Sequence, residues 1–149
     1  MSVKFVEAEI FDPDILDKFK RMAKFDKSYQ SLYLGVCYAE GVRGKKQDLI
    51  KSGKYYLKAA EQGCYLAQNI LGIICYNGKR GMPQSYEKAV EWWTKGAEQD
   101  ECFSQFHLGE CYLKGHGVEK NLDTAKYWFQ LSAESEYPKA IQALKELGG

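Results

Sequence analysis

Several things are scarce in this sequence. Its 149 residues hold only 3 prolines and 2 histidines, and 21 Lys plus Arg almost cancel 20 Asp plus Glu. A net charge of +1 excludes, by global charge, a strongly basic nucleic-acid binder and an acidic disordered tail. No stretch approaches the ~18 consecutive apolar residues of a membrane span. The start, Met1 to Ile10, has no apolar run of signal-peptide length, and Glu7, Glu9, Asp12 and Asp14 would interrupt one. The expectation is a cytoplasmic protein. Five cysteines, an odd number, without a secretory signal read as reduced thiols (Cys37, Cys64, Cys75, Cys102, Cys111). What is abundant points the other way. There are 14 glycines, 7 Phe, 3 Trp and 11 Tyr, too many aromatics for disorder. The length fits one domain with a real core.

The glycines have a period. Leu34-Gly35, Leu71-Gly72 and Leu108-Gly109 are the same dipeptide at intervals of 37. Gly41, Gly78 and Gly115 repeat at that interval, as do Ala23, Ala60 and Ala97, and the aromatics Phe19, Tyr56 and Trp93. After the loop beginning at Gly115 the match resumes at 36: Ala89 to Ala125, Trp93 to Phe129, Ala97 to Ala133. A deletion inside a Gly-rich loop is where a stacked array tolerates one. Self-similarity at this period is the signature of a helical repeat.

Each unit reads as two helices. Helix A is expected near 28–40, 65–77 and 102–114, with a partial copy at 138–147. Gly costs about 1 kcal/mol in a helix relative to Ala, so its recurrence implies close approach of a neighbouring helix. Helix B is expected near 49–62, 86–98 and 122–134. Its Ala89, Trp92, Trp93, Gly96 and Ala97 fall on one face, which places both members of each doubled aromatic in the core. Gly41, Gly78 and Gly115 stand where a left-handed C-cap is needed. Asp12 and Pro13 are a candidate N-cap and first residue of an opening helix, with Ile15, Phe19 and Ala23 in helix B columns. The reading is all-α, a right-handed superhelix (solenoid) of antiparallel helix pairs, with about eight helices. Residues 1–11 form an N-terminal extension and 12–149 one solenoid, with repeats near 28–64, 65–101 and 102–137 and half-repeats at both ends.

The third unit, Ser104 to Val118 through Leu108-Gly109, Tyr112, Gly115 and Gly117, then Ala125, Trp128, Phe129, Ser132, Ala133 and Glu134, resembles the Sel1-like repeat family, a tetratricopeptide-like group. Tyr55-Tyr56 and Ala59-Ala60-Glu61-Gln62-Gly63 match the end of the same pattern. Gln30 and Lys145 depart from it, as terminal units do when one flank faces water. The cystine-stapled secreted branch places Cys where this chain has Ala60, Ala97 and Ala133, which argues against that branch. The resemblance implies a bacterial, non-enzymatic adaptor that holds a protein or peptide partner, expected to be a monomer without cofactor. A narrower version is an immunity protein that neutralises a toxin. It further implies a concave face lined by helix A, with Tyr33, Val36, Asn69, Ile73, Tyr76, Asn77, Phe106, His107, Glu110 and Lys114 flanking the Leu-Gly pairs. Packing between repeats is the competing role for any of these. After the repeat columns are subtracted, Tyr33, Tyr76 and Phe106 remain as the leading contact residues.

Other patterns are weaker. His107 and Cys111, with Cys102 and His116 nearby, make half a zinc site at most, since no CxxC or second His pair completes it; no metal is expected. Ser85-Tyr-Glu-Lys88 matches the Ser-x-x-Lys element of penicillin-recognising enzymes. The Ser-Asp-Asn and Lys-Thr-Gly elements are missing, and Ser85 is a natural N-cap. A β-lactam or cell-wall-fragment hydrolase is therefore the alternative set aside. Arg43, Lys45, Lys46, Lys51, Lys54 and Lys58 crowd residues 43–58, whereas Glu98, Asp100, Glu101 and Glu110 stand in 96–113 with no Lys or Arg. Solvated helix faces compete with electrostatic steering of a partner as the explanation. Nucleic acid is not expected, because Tyr55 and Tyr56 are assigned to the core and so unavailable for base stacking.

Overall fold

The computed structural model describes residues 12–148. Among these the chain forms eight helices and no strand: α1 (Pro13–Met22), α2 (Lys27–Glu40), α3 (Leu49–Glu61), α4 (Tyr65–Asn77), α5 (Tyr86–Glu98), α6 (Cys102–Lys114), α7 (Leu122–Glu134) and α8 (Pro138–Glu146). Each packs on its neighbour in sequence, and α2·α3, α4·α5 and α6·α7 are the tightest pairs. This is the expected all-α solenoid. The N-terminal extension read at 1–11 lies outside the described residues.

Short polar side chains start most of the helices. The carboxylates of Asp12, Asp26 and Asp48, the Ser85 hydroxyl and the Asn121 amide oxygen each accept from a backbone N–H of the first turn. Gly41, Gly78 and Gly115 end α2, α4 and α6 in the left-handed conformation, at φ of 67°, 72° and 75°.

The repeated helix A glycine has a steric cause. A Cβ on Gly35 would stand 2.7 Å from the Tyr56 ring, and one on Gly109 2.7 Å from the Phe129 ring. At Gly72 it would collide with the Trp93 indole. Each helix B thus lays one aromatic flat over the glycine of its own helix A. Tyr56, Trp93 and Phe129 are nearly fully buried, which contributes about 2–3 kcal/mol apiece. Polar bonds tie repeat to repeat: Gln68 Nε2 donates to the Ala60 carbonyl and Gln105 Nε2 to the Ala97 carbonyl.

One expectation needs correction. The doubled aromatic does not sit wholly in the core. Adjacent helical positions point about 100° apart, so Tyr55, Trp92 and Trp128 turn outward and are half-buried. Tyr55 stacks on Tyr38, with ring centres 5.5 Å apart and planes 4° from parallel. In the acidic segment Glu98 and Asp100 are exposed, but Glu101 is not. Glu101 is buried at the start of α6, where its carboxylate accepts from the N–H groups of Phe103 and Ser104 and from the Ser104 hydroxyl. Burial pushes that carboxyl above its ordinary value, against these hydrogen bonds.

A cleft between the second and third repeats

A cleft of about 210 Å³ opens between α4 and α6, lined by Ile73, Tyr76, Asn77, Trp93, His107, Glu110, Cys111 and Lys114. Its geometry follows from helical spacing. Ile73, Tyr76 and Asn77 project from one face of α4, and His107, Glu110, Cys111 and Lys114 from one face of α6. The Trp93 indole, reaching up from α5, forms the floor. It is held there from three directions: beneath by Gly72, at its nitrogen by the Asn69 amide oxygen, which accepts at 3.1 Å, and above by His107, which stacks on it at 4.7 Å and 20°.

The walls are aromatic and polar. Tyr76 lies against Trp93 and Tyr86, with ring centres 5.6 and 4.7 Å away. Its hydroxyl is 2.7 Å from His116 Nδ1, in the loop after α6, and donates to it when the neutral imidazole carries its proton on Nε2. His116 in turn stacks on Tyr86 at 4.3 Å. Burial, reinforced by Tyr86, raises the Tyr76 phenol above its ordinary value, so it stays protonated. Across the cleft, His107 Nδ1 is 3.8 Å from Glu110 Oε1. Burial works to raise the Glu110 carboxyl, but His107, Lys114 and Lys139 outweigh it and hold it below its ordinary value. Glu110 is therefore a carboxylate, partly exposed, at the edge of an aromatic cleft.

Six of the ten residues expected to flank the groove are brought together here: Ile73, Tyr76, Asn77, His107, Glu110 and Lys114. The other four are not. Tyr33 is 9% exposed, with Lys20 of α1 over its ring; the opening half-repeat covers it. Phe106 is 7% exposed and packs on Phe129 and Tyr137. Asn69 is fully buried, spent on the Trp93 bond. Val36 is half-buried against the core between α2 and its neighbours. Trp93, whose repeat column marks it as core, lines the cleft as well, and the Tyr86–His116 pair braces Tyr76 without any motif to announce it. Only its column marks Tyr86: Leu49 and Leu122 stand there in the other copies.

The remaining candidates fall into structural places. The Ser85 hydroxyl accepts from the Lys88 backbone N–H at 3.1 Å, while the Lys88 ammonium stands 3.6 Å from Glu91 in solvent. The Ser-x-x-Lys element is thus a helix cap. Among the described residues no three His, Cys, Asp or Glu side chains converge as a metal site. Burial pushes the Cys111 thiol up to about 12 and, with help from Glu101, the Cys102 thiol up to about 11. Also among the described residues, no helix is long and apolar enough to cross a membrane.

Stacked helix pairs joined by a glycine–aromatic seam, with a cleft between successive first helices, define an α-solenoid repeat protein. The chain belongs to the Sel1 repeat family, whose model matches residues 32–64, 66–101 and 102–137. Such repeats are typically non-catalytic scaffolds for protein–protein interaction. Among solved structures the chain is similar to a protective antigen of uropathogenic Escherichia coli that displays an SLR fold, with 31% identity and a TM-score of 0.77 over 88% of this chain. It spans only 28% of that protein's length. It is likewise similar to a Sel1 repeat protein from Oxalobacter formigenes, with 28% identity and a TM-score of 0.77 over 89% of this chain and 98% of that one. The fold alone is shared with the cysteine-rich protein B of Helicobacter pylori, at 21% identity and a TM-score of 0.65 over 87% and 97% of the two chains. No curated protein sequence matches the chain.

Proposed function

We propose that this protein is a non-enzymatic interaction module of the bacterial cytoplasm, a monomer that grips a segment of a partner protein in the α4–α6 cleft on its concave face. The supporting observation is that the cleft is where the repeat pattern is broken. Tyr76, His107 and Glu110 occupy columns filled by Ala39, Ile70 and Ile73 one repeat earlier, where the glycine–aromatic seam of Gly35 and Tyr56 forms without them. A preformed aromatic cleft with one carboxylate and one ammonium at its rim suits a short segment carrying an apolar anchor and a polar end.

The test is capture of a stoichiometric partner from the source organism with the tagged protein, repeated with Tyr76→Ala and Glu110→Ala. Loss of the partner from both folded variants is the expected result, and capture indifferent to both would sink the cleft assignment. Phe106→Ala is not a suitable probe, because Phe106 is core. A partner that proves to be a toxin encoded beside this protein would narrow the reading to an immunity protein.

A further inference from the structure

A second surface lies on the first repeat, away from the cleft. Lys51, Lys54, Tyr55 and Lys58 form one stripe along α3, at the i, i+3, i+4 and i+7 positions of a single helix face. Beside them Tyr38 of α2 stacks on Tyr55, and Lys45 and Lys51 stand over the Tyr38 ring at 5.8 and 5.0 Å. Two shallow hollows, of about 260 and 460 Å³, meet at Lys51 on this surface.

Among the described residues nothing neutralises this stripe. Arg43 is spent on Asp17 at 2.8 Å. Asp48, the one acid between 43 and 58, is spent capping α3 through the Lys51 N–H. Among the described residues, Lys45, Lys46, Lys51, Lys54 and Lys58 enter no ion pair. Like charges three and four apart on a helix repel, so the arrangement is unfavourable until something outside answers it.

We propose that this stripe docks an acidic segment of a partner protein, with Tyr38 and Tyr55 as its apolar ledge. Three features favour a peptide over a nucleic acid. The cations are lysines, which lack the planar fork that makes Arg the bidentate phosphate reader. The Tyr38 ring is already engaged by Tyr55 and by two ammonium groups, which leaves little for a base to stack on. The stripe from Lys51 to Lys58 rises only about 10 Å, the reach of three or four extended residues at about 3.3 Å each and too short to track a strand.

The probe is a fluorescein-labelled eight-residue peptide of alternating Glu and Ala, followed by anisotropy with the whole protein. Binding at 50 mM salt that weakens at least tenfold by 300 mM is expected. The triple variant Lys51→Glu/Lys54→Glu/Lys58→Glu is expected to lose it at least tenfold, and Tyr76→Ala in the cleft to leave it unchanged. Should the triple reversal fail to fold, Lys51→Gln/Lys54→Gln/Lys58→Gln makes the same prediction with a smaller loss. The proposal is overturned by any of three results: no binding at 50 mM salt; an equal loss from Lys79→Glu/Lys88→Glu/Lys95→Glu, which would reduce the effect to net charge; or tighter binding of a 12-nucleotide oligothymidine or of phosphatidylserine vesicles than of the peptide.

Discussion

The junction between repeats one and two and the junction between repeats two and three share a scaffold and differ in what they offer. Both have a helix A glycine under a helix B aromatic, Gly35 under Tyr56 and Gly72 under Trp93. Both have a glutamine bonded back to the preceding helix, Gln68 to Ala60 and Gln105 to Ala97. Around that frame the occupants diverge. Between α2 and α4 the columns hold the aliphatic residues Val36, Ala39, Ile70 and Ile73; Ala39 is buried, and the other three pack partly buried against the core. Between α4 and α6 the same columns hold Ile73, Tyr76, His107 and Glu110, and a cleft opens. The lesson is a division of labour by column. The glycine and the aromatic that form the seam must repeat in kind, because each unit solves the same packing problem. Positions one helical step away are free to vary, and that is where recognition is written.

The strongest way to break this comparison is to remove the shared frame at one junction. Trp93→Ala should cost about 3–5 kcal/mol, through lost burial and the cavity left behind. It also removes the indole N–H that donates to the Asn69 amide oxygen and the platform under His107. Urea unfolding should show the loss. If stability falls by less than about 1 kcal/mol, the indole is not the keystone of the second junction.

Replacing the glycine tests the same seam from below, with a smaller effect. Ala for Gly gains helix propensity of about 1 kcal/mol and loses about 1–3 kcal/mol to overpacking where the neighbour cannot yield. The indole over Gly72 is pinned by Asn69 and His107, so Gly72→Ala should be net destabilising by about 1–2 kcal/mol. The Tyr56 ring over Gly35 leaves more room, so Gly35→Ala should cost less. The midpoint difference between the two variants in one urea series decides it, and the reverse order would mean the two seams are not packed as compared.

The division by column also explains what could be read from the sequence. Helices α1 to α8 were legible because their evidence recurs: each Leu-Gly pair, each C-cap glycine and each helix B aromatic is seen several times, so errors of phase cancel. The cleft was legible only in part. Asn69 and Phe106 flank a Leu-Gly pair just as His107 does, and helical spacing alone cannot say which side turns inward. Tyr33 occupies the column of Ile70 and His107, but α1 covers it. The outward turn of Tyr55 was missed because a doubled aromatic looks like doubled core, although adjacent residues on a helix cannot both face one partner.

The smallest effect separates the junctions by charge. Glu110 has an isoleucine, Ile73, as its counterpart one repeat earlier, so only the second junction carries a carboxylate that folding perturbs. His107, Lys114 and Lys139 hold its carboxyl below its ordinary value in the folded chain. A depressed folded value means the contribution is fully present above the unfolded value and is lost as pH falls through the folded one. With its side chain 37% exposed, solvent screening keeps that contribution under about 1 kcal/mol. Glu110→Gln should therefore lower stability slightly at neutral pH, and the gap from the parent protein should close as pH drops below the carboxyl's ordinary value. Paired thermal melts across pH 3 to 7 would show it. A gap that stays constant with pH would assign Glu110 to packing, and one that widens in acid would reverse the sign of its interaction with His107, Lys114 and Lys139.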